Sequence, residues 1–370
     1  VLTEYQNSLR WLNENGLFLP MLLDAKRNRF YDNILRENVK DRCCVDIGFG
    51  TGILSILALK HGAKHVLAFE SNYRRFLLGQ HIIEQLHLGD RIELVHEKFH
   101  KNMTERIGSK LVFHEIVGDG IWSEGLYHCM NTQYNMIPNE YELEIVVAVD
   151  QKCRIEREVE IVGAFNIDYG RIKDSSWPSV ASLSDLKNLP HHIQHEIYHV
   201  HNIHTWLPYF NLDLGFNMNL GIDIDQNWKN LISNICKSNF KNNQGFYDDR
   251  FLINYHYNRL KPTSLSVGHV TVSAKTMTAT ILISGAQPQL IDIVQNPYLR
   301  IVIPKTVLPK KNCVLIMIPK MRHGTHQLTL LKEDYTDHWG GPITCIIDTV
   351  TTDVELFIDL NTGKHRISPV

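Results

Sequence analysis

The spacing of apolar positions changes along the chain, and those changes outline its elements. Over residues 20–37 apolar side chains recur at helical intervals, with Met21, Leu22, Phe30, Ile34 and Leu35 on related faces. A short apolar strand follows, Cys43-Cys44-Val45-Asp46-Ile47, and then the turn Gly48-Phe49-Gly50-Thr51-Gly52. Helical spacing resumes from Ile53 to Lys60 and stops near Gly62, a residue suited to a helix C-cap. His65-Val66-Leu67-Ala68-Phe69 reads as a second strand ending in Glu70, and a helix over about Arg74 to Leu88 precedes a third strand, Ile92-Glu93-Leu94-Val95. Lys110-Leu111-Val112-Phe113 is a further buried strand. Strands alternating with helices predict a parallel, doubly wound sheet.

Beyond Met136-Ile137-Pro138-Asn139 the pattern becomes one of short β-type runs, in 141–164 and again in 264–362. They include 142–149, 270–272, 279–283, 314–318, 342–347 and 354–360. That spacing predicts an antiparallel sandwich or barrel. Two domains are therefore expected, a Rossmann-like α/β domain over 1–137 with N-terminal helices and a β-domain over 138–370. Residues 183–245 interrupt the second as a candidate arm or insertion.

Composition narrows the classes. With 370 residues, 44% of them apolar and 21% charged, the chain can bury a large core. A net charge of −2 excludes a strongly basic nucleic-acid binder and leaves no strong nucleic-acid signature. No run of about 18 apolar residues occurs, so no transmembrane helix and no membrane partner are expected. The start at Val1 lacks both a signal-peptide pattern and a methionine, which reads as a piece of a longer protein. The seven cysteines are odd in number and irregular in spacing, which favours reduced thiols and a cytoplasmic or nuclear protein.

The chemistry begins at the glycine turn. Parallel sheets bind ligands beyond the C-terminal ends of their strands. A dinucleotide fold would place a third glycine where Ile53 stands. Asp46-x-Gly48-x-Gly50-x-Gly52 instead resembles class I S-adenosylmethionine-dependent methyltransferases, and Glu70 ends the next strand, where an acid can accept both ribose hydroxyls. Glu115 and Glu124, nine positions apart, follow the buried strand that ends at Phe113. A pair of carboxylates suits a planar cation held beside a methyl donor. Guanidinium has a pKa above about 12 and a delocalised lone pair. Two carboxylates on its other N–H groups would localise charge away from the attacking nitrogen and align it.

Over most of residues 20–150, and again near 335–362, the chain resembles the protein arginine N-methyltransferase family. Met21-Leu22-Leu23-Asp24-Ala25-Lys26-Arg27-Asn28-Arg29-Phe30-Tyr31 is similar to the family's first helix. The resemblance implies that Arg27 pairs with the carboxylate of S-adenosyl-L-methionine, a geometry that guanidinium suits. It implies that Glu115 and Glu124 are the family's two loop glutamates. Tyr335-Thr336-Asp337-His338-Trp339 resembles the family's Thr-His-Trp loop. There His338 would bond Asp24 and Trp339 would wall the arginine channel. The expected catalytic set is thus Glu115, Glu124, His338 and Asp24. The cofactor set is Arg27, Asp46, Gly48, Gly50, Gly52, Glu70 and Phe99, and Trp339 contacts substrate. The resemblance further implies an arginine-containing protein substrate, a β-barrel second domain and a homodimer or an intrachain mimic of one.

Departures from the family pattern leave alternatives open. The loop reads Ile116-Val117-Gly118-Asp119-Gly120, and Gly125 after the second glutamate is similar to the monomethylating branch. Phe99-His100-Lys101 stands where relatives offer an acid to adenine. A catalytically silent scaffold with a methyltransferase fold is therefore the alternative to an enzyme. A methyltransferase of nucleic acid or small molecules is a third reading, and the glutamate pair speaks against it. His191, His195 and His199 would share a helical face, but no acid or cysteine completes a zinc set, so no metal is expected.

Overall fold

A computed structural model describes residues 21–22, 24–118, 120–149, 220–240, 264–331 and 343–370. The first helix, α1 (Ala25–Asn38), starts where Asp24 accepts a hydrogen bond from the Arg27 amide at 2.8 Å, an N-cap that satisfies a free helix donor. Then follow β1 (Cys43–Ile47), α2 (Ile53–Lys60), β2 (His65–Glu70), α3 (Tyr73–Gln85), β3 (Ile92–His96), a single turn α4 (Thr104–Ile107), β4 (Leu111–His114) and β5 (Asn135–Ile137). These strands form one parallel sheet in the order β3-β2-β1-β4-β5. The Rossmann-like expectation holds. Order reverses between β1 and β4, which run in register so that Ile47 faces His114. The crevice beyond those two strand ends is where such sheets take ligands. The glycine turn leaves β1 there, and Glu115 leaves β4 there.

The second half is antiparallel, as expected. After β6 (Glu140–Val149) come a helix, α5 (Gln226–Phe240), and β7 (Ser264–Ser273), β8 (Thr278–Ile283), β9 (Gln289–Asp292), β10 (Tyr298–Ile303), β11 (Lys311–His323), β12 (His326–Thr329), β13 (Ile343–Thr349), β14 (Val354–Asp359) and β15 (His365–Pro369). One sheet runs β12-β11-β6-β7-β8-β9 with β13 also paired to β11, and a second runs β10-β14-β15. Some strands exceed the apolar pattern. β9 is a largely exposed edge with the polar ends Gln289 and Asp292, and β5 has only three residues beside a boundary signal. β10 is a missed alternation, with Leu299, Ile301 and Ile303 buried. Cys43, Cys44, Cys129 and Cys313 are free thiols, and no described helix is long and apolar enough to cross a membrane.

One bond ties α1 to the sheet's ligand end. The buried Tyr31 hydroxyl donates to the His114 carbonyl at 2.9 Å, across the join between α1 and the end of β4. Tyr31→Phe keeps the ring and strands that carbonyl, so it should lower stability by about 1–3 kcal/mol. A urea midpoint that falls at unchanged slope checks this; an unmoved midpoint would show that the bond contributes nothing net.

Candidate functional site

The turn after β1 is built from left-handed glycines, with φ of 87° at Gly48, 55° at Gly50 and 78° at Gly52. A side chain at any of them would be strained, which is the physical reason for the alternating pattern. The Gly48 and Phe49 amides donate to the Phe69 carbonyl at 2.9 and 3.0 Å, closing the turn over the end of β2. Glu70 completes it. One carboxylate oxygen accepts from the Gly50 amide at 3.1 Å and the other from the Asn72 amide at 2.9 Å. Asp46 is buried beneath the turn, and its Oδ2 accepts from the Ser55 hydroxyl at 2.6 Å. Among the described residues its Oδ1 has no partner, and neither has the buried Thr51 hydroxyl in the turn. Burial raises the Asp46 pKa to about 7, against the opposing effect of the Ser55 bond.

Facing the turn, α1 presents Arg27, only 1% exposed, with its Nη2 at 3.3 Å from Glu115 Oε2. Its Nη1 donates to Asn28 Oδ1 at 3.1 Å, its guanidinium lies 5.3 Å from the Tyr31 ring centre, and its Nε has no partner among the described residues. Burial raises the Glu115 pKa to about 7; Arg27 opposes this, and the nearby Glu124 and Asp24 carboxylates add to it. The two glutamates are therefore electrostatic neighbours despite their separation in sequence. The intervening loop folds back at a bridge between Gly118 and Ile121, with the Ile121 amide donating to the Gly118 carbonyl at 2.8 Å. Gly118 is required there because a Cβ would overlap Ser123 Oγ and lie 3.2 Å from Glu124 Cγ. Ile121 is buried at φ 69°, a costly conformation for a β-branched residue that the packing around it must hold. The Trp122 ring is buried 5.6 Å from that of Tyr141, and the turn at Gly363 between β14 and β15 abuts the Trp122–Ser123 backbone.

Of the residues expected from the sequence, Asp24, Arg27, Glu115 and Glu124 form one group. Asp46, Gly48, Gly50, Gly52 and Glu70 form the facing turn; a Cβ on Gly48 would lie 3.6 Å from Ile116 Cγ2. Phe99 is a buried ring edge-on to Phe69 at 5.3 Å and beside Tyr134 at 5.8 Å. His338 and Trp339 lie outside the described residues, as do the histidines at 191, 195 and 199 and the greater part of the 183–245 segment. Among the described residues no cluster of metal ligands occurs. Sequence reasoning missed Tyr31, Ser55, Thr51 and Trp228. Ser55 and Thr51 carry a usable signal, a hydroxyl in or just after the glycine turn; the contacts of the other two are long-range.

Fold and site together define a Rossmann-like domain joined to antiparallel sheets, with a buried arginine–glutamate pair at its ligand end. No family model matches the chain. Protein arginine N-methyltransferase 9 of Xenopus laevis is 36% identical over 123 residues, 31% of this chain and 14% of that protein. Protein arginine N-methyltransferase 1 of Saccharomyces cerevisiae is 36% identical over 86 residues, 22% of this chain and 24% of the yeast protein. Over these stretches the chain is similar to protein arginine N-methyltransferases. The match spans 14% of the length of the Xenopus relative. A crystal structure of PRMT6 aligns over 94% of this chain and 96% of its own, with a TM-score of 0.49 and 14% identity.

Two buried acids with raised pKa give the ligand-free protein a definite pH response. Between about 4 and 7 the folded chain holds protons on Asp46 and Glu115 that the unfolded chain has released. Stability from this source is full at low pH and falls as pH rises through about 7. Glu115→Gln, measured by urea unfolding at pH 5, 6 and 7, should show a shallower decline than the parent. Equal slopes would mean that Glu115 ionises as freely folded as unfolded.

Proposed function

We propose that this chain is an S-adenosyl-L-methionine-dependent protein arginine N-methyltransferase, with Glu115 and Glu124 holding the guanidinium of an arginine-containing protein. The observation that carries the reading is the meeting of the Arg27–Glu115 pair, with Glu124 beside it, and the left-handed glycine turn at one switch point of the sheet. The residues suit the cofactor. Arg27 Nε, Asp46 Oδ1 and Thr51 Oγ1 are buried polar atoms without partners among the described residues, and a zwitterionic ligand would satisfy them. Arg27 would take the cofactor's carboxylate, and Glu70 would take ribose hydroxyls through the lone pairs left by its two amide bonds.

When bound, S-adenosyl-L-methionine supplies a methyl group on a sulfonium, open to attack by a nitrogen. The chain's own residues make the nitrogen able to attack. Glu115 and Glu124 accept hydrogen bonds from the guanidinium N–H groups, which draws positive charge toward them and away from the remaining nitrogen. Arg27 holds Glu115 in place from behind. The fixed position removes orientational freedom that would otherwise raise the barrier. The proton that the nitrogen loses on methylation can pass to Glu115, a carboxylate held against the guanidinium. Gly125 after the second glutamate supports monomethyl product. The expected homodimer and the cytoplasmic or nuclear location belong to the same proposal.

Mass spectrometry of an arginine-rich peptide incubated with the protein and S-adenosyl-L-methionine tests activity and methyl count together. Glu115→Gln and Glu124→Gln should each reduce kcat/KM by about a hundredfold or more, the scale of losing a charged group aimed at the reacting centre. Glu124→Gln should leave the cofactor Kd within about threefold of the parent. Transfer that survives both substitutions would remove the clamp. Calorimetry that detects no cofactor binding would instead leave the silent scaffold.

A further inference from the structure

Residues 220–240 enter the chain between β6 and β7, yet they are fastened to the parallel-sheet domain at both walls of the site. On the α1 side, Asn28 Nδ2 donates to the Leu220 carbonyl at 3.0 Å as well as to Leu22 at 2.8 Å. Gly221, at φ 67°, approaches so closely that a Cβ would stand 2.5 Å from Ala25 Cβ and 3.0 Å from Arg29 Nη1. On the α2 side, Lys60 Nζ binds Asp223 through its carbonyl at 2.5 Å and its carboxylate at 2.9 Å. Asp225 then caps α5 by accepting from the Trp228 amide at 3.0 Å. Within the first turn of that helix, the fully buried Trp228 indole donates to the Thr51 carbonyl at 3.0 Å. Ile232 and Ile235 follow on the same face, at helical intervals that bury them with it.

The Trp228 bond reaches the glycine turn itself. A planar peptide whose carbonyl is held by a buried donor cannot rotate without losing that bond. The Thr51–Gly52 peptide leads into the left-handed Gly52 that starts α2. Thr51 also carries a buried hydroxyl that has no partner among the described residues. Meanwhile the Asn28 and Gly221 contacts press on the first turn of α1, which carries Asp24 and Arg27.

We propose that α5 is a built-in positioning element for the cofactor turn, with Trp228 as the positioning residue that fixes the Thr51–Gly52 peptide. A helix supplied by the second half of the chain thereby sets the shape of the ligand end of the first. The identity of the ligand rests on the methyl-donor reading above, whereas the coupling of helix to turn does not. The bond's net strength corresponds to a change of about three- to tenfold in whatever equilibrium it controls.

The test compares the parent with Trp228→Phe, which keeps an aromatic ring and removes the donor. Hydrogen exchange of the ligand-free protein should quicken about three- to tenfold at the amides of 48–53, with little change at β4. The calorimetric Kd for S-adenosyl-L-methionine should rise by the same factor while the KM for an arginine peptide stays as it was. A merely structural role for Trp228 would instead loosen the whole domain, raising exchange throughout. Lys60→Met loosens the same segment at its exposed tether and serves if Trp228→Phe does not fold; it should raise exchange at 48–53 about twofold. Unchanged exchange at the turn in the folded variant overturns the proposal. If the parent binds no cofactor, the methyl-donor reading fails and the exchange result still decides the coupling.

Discussion

The site depends on a buried guanidinium that cannot be left without its carboxylate. Arg27 is almost wholly removed from solvent, and Glu115 reaches it from the end of β4. Removing one member of such a pair typically costs about 3–5 kcal/mol, because the other charge is then stranded. The pair therefore locks α1 to the loop after β4. Tyr31 repeats the lock one helical turn further on, by bonding the carbonyl of the residue before Glu115. Any shift of α1 moves the glutamate, and any shift of the glutamate uncovers the arginine. The cap from Asp24 fixes where that helix begins, so its side chain shapes the site even as a cap.

The second half contributes by bracing from outside. The glutamate loop is held from behind by the turn at Gly363, and the Tyr127 hydroxyl just beyond Glu124 donates to the Ile293 carbonyl at 2.8 Å. His114 is tied to β6, its Nε2 lying 2.7 Å from the Tyr141 hydroxyl, and burial holds its imidazole neutral with a pKa pushed down to about 4. Tyr141 also donates to the Pro138 carbonyl at 2.9 Å. The loop thus has its ends in the parallel sheet and its support in the antiparallel part. That arrangement makes the strained Ile121 tolerable, since its conformation is fixed by packing on both sides.

The sequence revealed those parts of the molecule whose causes are local. β1, β2 and β4 are buried on both faces and so read as continuous apolar runs. The glycine turn is visible because only glycine serves at its φ angles, and Glu70 because it ends a strand beside that turn. Glu115 and Glu124 were legible by type and spacing, and their shared role implied closeness; the fold-back at Gly118 and Ile121 that brings it about was not legible. What stayed hidden was contact across sequence distance. The Arg27–Glu115 pair, the Tyr31 bond to His114 and the Trp228 bond to Thr51 link residues that no periodicity connects. Exposed edge strands such as β9 were hidden for the opposite reason, since they bury too little to leave a pattern.

The glutamate loop keeps Glu115 and Glu124 electrostatically coupled. In the ligand-free chain, burial outweighs the help Arg27 gives to both Glu115 and Asp46, so each ionises less readily than an ordinary carboxylate. A group in that state responds to what enters beside it. A neutral hydroxyl or base brings no charge to favour ionisation, and a carboxylate would oppose it. A guanidinium favours it, and the poorly solvated surroundings that made the charge costly then strengthen the attraction between glutamate and cation. Burial and the second carboxylate act together in this way: neither would discriminate a cation from its neutral isosteres as sharply alone. In the proposed clamp, the loop strain at Ile121 and the bracing from the second half would serve the same end, because a clamp free to relax would let water in and screen the charges on which that discrimination rests.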